Sequence, residues 1–291
     1  RMGKVMQKLS LRVKLISVML VIGLIPLVIA SVVTLMNSED SLERASNEQL
    51  VSVRDIKADG LNQYINSMTS QIKLVASNTS TVEAFEQFND AFHYYPVEDS
   101  SQNNASIKRY WDTQFAKKYQ QETQNPFATD SYFNKMSPKA KQLQVDFISE
   151  NPHPLGNKNA LVDLNNQTPY SRVHSKYHSW FEHYLKEFGY YDIFLVNLKG
   201  EVIYSVFKEL DFATSLTSGP WAQSGLAQAF NKAKTLQYGE TKFTDLALYA
   251  PSYDAPAGFI STPIYNNGRV EGVLIFQMPL AKITSIMSQR A

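Results

Sequence analysis

The feature that most constrains this chain is the run from Leu15 to Met36, which contains no charged side chain. At about 1.5 Å of rise per helical residue, such a run crosses the ~30 Å hydrocarbon core of a bilayer. Gly23 and Pro26 are compatible with a membrane helix. Arg1, Lys4, Lys8, Arg12 and Lys14 precede the run with no acid among them, whereas Glu39, Asp40 and Glu43 follow it. The positive-inside rule then predicts a cytoplasmic N-terminus, an inner (plasma) membrane span, and residues 37–291 in the periplasm or outside the cell. A cleaved signal sequence is the alternative, but its apolar core is about 7–15 residues and ends in a small-x-small site. This run is longer and flows directly into a helical pattern, which favours an uncleaved anchor.

The 291 residues hold 28 basic and 27 acidic side chains. Because five of the bases precede the span, the exterior portion is net acidic, and nothing in it points to nucleic acid. The absence of cysteine excludes disulfides, thiolate catalysis and cysteine-ligated metal. The 16 Tyr and 16 Phe argue for a packed globule rather than a disordered stalk.

Six segments follow from the periodicities: a basic N-terminus (1–14), the span (15–36), a long stalk helix (37–90), a helical segment (91–188), a sheet domain (189–279) and the start of a further helix (280–291). From Asn37 to about Asp90 apolar residues recur at helical spacing without proline, which predicts one uninterrupted helix with a narrow apolar stripe. The stripe can face its own domain or pair with a second copy; a homodimer through this helix is the expectation. A helix is expected from about Ala105 to Thr123. Ser137-Pro138 and Thr168-Pro169 each place a capping hydroxyl before a first-turn proline, so helices should start there and run to about Ser149 and to Gly189. From Tyr190 the period becomes two. Strands are predicted over Tyr191–Val196, Val202–Phe207, Thr241–Ala250, Gly258–Tyr265 and Arg269–Met278, with a helix from Trp221 to about Lys234. An Asn266-Asn267-Gly268 turn joins the last two strands. The fold class is therefore α+β.

Residues 189–279 resemble the extracellular Cache sensor domains of bacterial methyl-accepting chemotaxis proteins. The likeness rests on Phe188-Gly189-Tyr190-Tyr191-Asp192-Ile193-Phe194-Leu195-Val196, on Val202-Ile203-Tyr204-Ser205-Val206-Phe207-Lys208, on Asp211-Phe212-Ala213-Thr214-Ser215-Leu216, and on the stretch from Pro251 to Ile260. The basic start, single span and long helix add to it. The resemblance implies a PAS-like five-stranded antiparallel sheet with flanking helices, a small-molecule ligand, and signalling across the membrane to direct chemotaxis. The same kind of sensor precedes histidine kinases and nucleotide cyclases, so those outputs stay open, as does a membrane-anchored binding or adhesion module. A receptor of this kind has a second span and a signalling coiled coil, which makes this chain the expected first portion of a longer one. The Tyr, Arg, Trp and Asp pattern of amino-acid-binding members is not recognisable here.

In such a fold the ligand lies between the sheet and its cover, in a mostly apolar cavity with a few placed polar groups. The candidates are Tyr204, Phe207, Lys208, Asp211, Trp221, Asp245, Tyr249, Tyr253, Asp254, Ser261 and Gln277. Lys208 suits a carboxylate or phosphate, and Asp245 or Asp254 an amine. The plainer reading makes the aromatics core and the charges a solvated rim. His174 and His178 stand four apart, a spacing at which two imidazoles can share a metal, but no third ligand is identifiable. Histidines packed at a helix surface are the expectation, with no metal or other cofactor. No Gly-x-Ser-x-Gly elbow or phosphate-cradling loop is present, and no enzyme is predicted.

Overall fold

The computed structural model describes residues 10–98 and 101–288. Arg1, Lys4 and Lys8 of the basic N-terminus, with Asp99 and Ser100, lie outside them. The chain divides into two compact units, one ending at Gly60 and one comprising Leu61–Ser288. Helix α1, Leu11–Ser77, is the long helix expected from the apolar run, and it continues through Pro26. Its side chains over 15–36 are exposed. By length and composition this stretch is a candidate membrane span. Two of its three hydroxyls bond within the helix, Ser31 Oγ donating to the Leu27 carbonyl and Thr34 Oγ1 to the Ala30 carbonyl, each at 2.8 Å. Self-satisfaction of this kind is what an apolar surround demands.

In the second unit the predicted uninterrupted helix is broken. It ends at Ser77, and α2 occupies Thr79–His93. The break is made by Asn78, whose backbone is extended and whose side-chain Oδ1 accepts the Ser80 N–H at 2.8 Å. An asparagine cap ends one helix and starts the next without proline or glycine. The intervening segment holds α3 (Ser101–Tyr110), a π turn (Trp111–Phe115), α4 (Ala116–Thr123), α5 (Thr129–Phe133), α6 (Pro138–Gln144) and a second π turn (Val145–Ser149). Ser137 and Thr168 cap their helices as predicted, each accepting from the third helical N–H at 3.1 Å. Helix α7, Pro169–Phe188, ends on Gly189 at φ 74°, the left-handed stop that glycine tolerates.

The sheet is five-stranded and antiparallel throughout, in the order β2 (Val202–Ser205), β1 (Asp192–Asn197), β7 (Arg269–Gln277), β6 (Phe259–Asn266), β3 (Lys242–Phe243). Every residue of β1 is buried, since α2 and α7 cover one face while α8 (Gly225–Ala233) covers the other. This explains why these strands read as continuous apolar runs rather than alternations. The β6–β7 turn has φ 49° at Asn267 and 77° at Gly268, as the Asn-Gly pair predicts.

Two boundaries need correction. Trp221 lies before α8, which starts only where the Ser224 hydroxyl caps the Ala227 N–H. The predicted strand over 241–250 is also split. Thr244 Oγ1 takes the Phe259 N–H at 3.0 Å, so the ladder stops, and β4 (Ala247–Tyr249) pairs with β5 (Ala255–Ala257) as a separate hairpin.

Gly272 of β7 marks where α2 meets the sheet. A Cβ there would lie against the Phe85 ring and 2.7 Å from the Val196 carbonyl oxygen. The ring is 1% exposed and the carbonyl is backbone, so neither can yield cheaply. Gly272→Ala should therefore destabilise by about 1–3 kcal/mol, as overpacking does. At about 2–4 °C per kcal/mol for a unit of this size, a calorimetric Tm unchanged within one degree would contradict this packing.

Candidate functional site

The chain leaving β2 is fixed by one buried carboxylate. Asp192 Oδ1 accepts the N–H groups of Ile193, Val206 and Phe207 at 2.7, 3.0 and 3.1 Å. The backbone then reverses at Lys208, a non-glycine residue at φ 58°, whose N–H is received by Ser205 Oγ. Across from it, Tyr253 and Asp254 are also left-handed, at φ 57° and 55°. Such conformations cost about 1–3 kcal/mol each and persist only where their surroundings enforce them.

Between these segments and the helical insertion lies a cavity of about 20 Å³. Phe207, Lys208, Glu209 and Leu210 form its sheet side and Tyr253 its hairpin side; Tyr110, Phe115, Leu155, Gly156 and Lys158 close it from the insertion. The insertion is stapled down by Gln144, which is fully buried. Its amide donates to the Leu210 and Phe212 carbonyls at 2.9 and 2.8 Å and accepts Trp111 Nε1–H at 3.0 Å.

The titratable groups around the site are shifted by burial. Burial holds Asp192 up to about 8, with the Asp211 carboxylate adding to it, and raises Asp211 to about 6. Burial likewise pushes Glu209 upward and brings Lys208 down to about 7, against the pull of Asp192. The Lys208 ammonium donates to the Ser205 carbonyl and lies 4.3, 5.1 and 5.8 Å from the ring centroids of Tyr204, Phe212 and Phe147. It is an internally caged cation rather than the solvated rim charge of the plainer reading. Lys158, lowered by burial, donates to the Asn151 and His153 carbonyls at 3.0 and 2.6 Å.

The predicted residues separate into groups. Phe207, Lys208 and Tyr253 meet at the cavity. Tyr249 donates to Asp211 at 2.6 Å, and Trp221 donates to the Leu210 carbonyl at 2.9 Å while stacking on Tyr132 and Trp111; both support the site from behind. Gln277 reaches Ser252, which in turn donates to Glu209, and with Phe207 borders a separate groove of about 350 Å³ beside Pro279 and Leu280. Tyr204 faces α7. Ser261 donates to the Ala229 carbonyl under α8, away from the cavity. Asp254 receives the Tyr119 hydroxyl, and Asp245 is exposed beyond β3. Sequence reasoning missed Tyr110, Phe115, Leu155, Lys158 and Glu209. Only Glu209 carried a signal, as the neighbour of Lys208.

His174 and His178 are not at a helix surface, as the helical spacing suggested; both are 0% exposed. Both nitrogens of His178 are committed, Nδ1 to the Tyr204 hydroxyl and Nε2 to the Asn159 carbonyl, each at 2.7 Å. His174 Nδ1 meets the Val162 carbonyl at 2.8 Å. Among the described residues no group of three or more His, Cys, Asp or Glu could hold a metal ion.

Burial, reinforced by Lys208, lowers His178 to about 3 and His174 well below its ordinary range. An unfolded imidazole takes up a proton below roughly pH 6.5, so between 6.5 and about 3 the unfolded state binds more protons. The stability contributed by keeping these rings neutral is therefore present above 6.5 and lost as pH falls. The buried carboxylates act in the opposite sense, so the readout is a difference. The fall in Tm from pH 6.5 to 4.5 should be shallower in His174→Phe than in the parent, and parallel profiles would exclude this account.

No protein-family model matches the chain, and no curated protein matches it. Among the solved structures that match are three of limited similarity. The Vibrio cholerae histidine kinase DctB sensor domain is 16% identical over 47% of this chain and 48% of its own, with a TM-score of 0.33. The Pseudomonas fluorescens chemoreceptor CtaA ligand-binding domain, in complex with L-serine, is 14% identical over 70% and 65%, at 0.30. The ligand-binding domain of the Campylobacter jejuni chemoreceptor Tlp3, in complex with 4-methylisoleucine, is 9% identical over 74% and 66%, at 0.29. Each match spans less than two thirds of the other chain.

Proposed function

We propose that this chain is the ligand-sensing region of a membrane-anchored receptor, with a small polar molecule bound between the β2 exit and the helical insertion. The observation that carries this reading is the cavity walled by two left-handed non-glycine residues, Lys208 and Tyr253, and three buried or half-buried titratable groups, Lys158, Lys208 and Glu209. Strain and desolvated titratable groups gathered at one cavity are costs that folding alone does not require. At about 20 Å³ the cavity has room for about one water, so any larger ligand must displace its walls. Binding is then inseparable from a change of state, and a ligand shifts that equilibrium by its differential affinity for the two states.

The membrane span, the periplasmic or extracellular placement and the homodimer through α1 belong to the same proposal, supported by the apolar run and its flanking charges. Chemotaxis signalling is the output favoured by the sequence resemblance; a histidine kinase or nucleotide cyclase output uses the same sensor. A Gly-Gly-Pro insertion at Asn47 should abolish signalling while sparing ligand binding.

The decisive experiment is a thermal-shift screen of the full chain in lipid nanodiscs against amino acids, organic acids, amines and purines. A binder at about 100 times its Kd adds about 2.7 kcal/mol. Glu209→Gln and Lys158→Met should each weaken the hit at least tenfold. A hit whose Kd neither substitution moves places the ligand elsewhere, and no hit across the four classes overturns the reading.

A further inference from the structure

Three carboxyl groups gather where the chain leaves β2. Asp192 and Asp211 are each 0% exposed, and Glu209 is half-buried. Among the described residues no lysine, arginine or histidine forms an ion pair with any of them. Asp192 Oδ2 and Asp211 Oδ1 have no hydrogen-bond partner among those residues either. An ionised carboxylate stripped of water, with neither a cation nor a full set of donors, is strongly disfavoured, so groups placed in this way keep their protons.

The β4–β5 hairpin closes onto this cluster through its hydroxyls. Tyr249 donates to Asp211 at 2.6 Å, and Ser252, in the turn after β4, donates to Glu209 at 3.2 Å. The hairpin pairs with none of the strands of the main sheet, and its Leu248 is 71% exposed. At its tip Tyr119 donates to Asp254, and the Phe115 ring stacks on Tyr253 at 5.0 Å. The hairpin is thus gripped on two sides, by rings of the insertion and by the acids at the β2 exit.

We infer that the β4–β5 hairpin is a pH-controlled flap, docked while the cluster of Asp192, Glu209 and Asp211 holds its protons and released as that cluster ionises. Undocking admits water to the cluster, and a solvated carboxyl group ionises at about pH 4. Burial holds Asp211 up to about 6 and Asp192 up to about 8, and pushes Glu209 upward. The docked form therefore binds more protons from about pH 4 to about pH 8, and its advantage falls as pH rises through that window. The groups facing the cluster do not cancel this. Tyr110, Tyr191, Tyr249 and Tyr253 are all raised by burial and stay neutral throughout. Lys208 is caged by rings outside the hairpin and Lys158 is held by the Asn151 and His153 carbonyls, so each keeps one environment in both forms. The flap works without a ligand and does not rest on the ligand-sensing reading.

The test is spin-label mobility in the full chain in nanodiscs, with no ligand added. The chain has no cysteine, so Leu248→Cys and, as a reference, Leu198→Cys in the β1–β2 turn each take a single label at an exposed position. Between about pH 5 and about pH 8 at fixed ionic strength, the ratio of mobile to immobile Leu248 label should rise at least tenfold. About tenfold is the share that Asp211 alone supplies in passing from about 6 when docked to about 4 when solvated. The Leu198 label should not change. Asp211→Asn keeps an acceptor for Tyr249 but cannot ionise, and should flatten the profile. Tyr249→Phe keeps the ring against Phe259 and should free the label already at the acid end. A Leu248 label in the parent that ignores pH, a parallel change at Leu198, or a parent-like profile in Asp211→Asn would each overturn the flap.

Discussion

The arrangement of this molecule depends on the side chain of Gln144. A buried amide that fails to pair leaves donors and acceptors stranded at about 1–3 kcal/mol apiece. Gln144 satisfies itself by joining three separate parts of the chain: the indole of Trp111 and the carbonyls of Leu210 and Phe212. The carbonyl of Leu210 also receives the indole N–H of Trp221. Without that junction little but apolar contact, which sets no register, and the Tyr119–Asp254 hydrogen bond would hold the helical insertion in place. The polar junction specifies where the insertion sits, and with it which residues roof the cavity.

Local chemistry was legible from the chain, and long-range apposition was not. Ser137-Pro138, Thr168-Pro169, Gly189 and Asn267-Gly268 announce their roles because the interactions that define a cap or a turn lie within four residues. The stop at Asn78 was missed although it too is local, since an asparagine among helix-compatible neighbours gives a weaker signal than proline or glycine. The break is visible only once Ser80 is seen to be capped. The strand predicted over 241–250 failed for a different reason: Thr244 closes the ladder through its hydroxyl, and strand periodicity does not register a side chain replacing a backbone partner.

At the site, the motif around Lys208 was visible and its meaning was not. A lysine ending an apolar strand reads as a charge turned to a ligand or, more plainly, to solvent. Three rings supplied by β2, by the loop after it and by the insertion enclose it instead. The histidines follow the same pattern: four-residue spacing gives their common face, but only packing reveals that this face is the interior. The insertion residues at the cavity come from positions near 110, 115 and 155, and no pattern in the sequence connects them.

Each of the two π turns lies beside a residue of the Gln144 junction: Trp111 opens the first, and the second starts at Val145, directly after Gln144. A π turn holds one residue more than the helical ladder requires. Deleting a single residue at either place would restore an ordinary helix with the flanking turns close to their present phase, because the extra residue is absorbed within the wide turn. In evolutionary terms, these turns are points where a residue can be gained or lost with the change confined to the side chains at the turn. The insertion can thus diverge in steps unavailable to the strands, where a single-residue slip inverts every side chain across a buried layer.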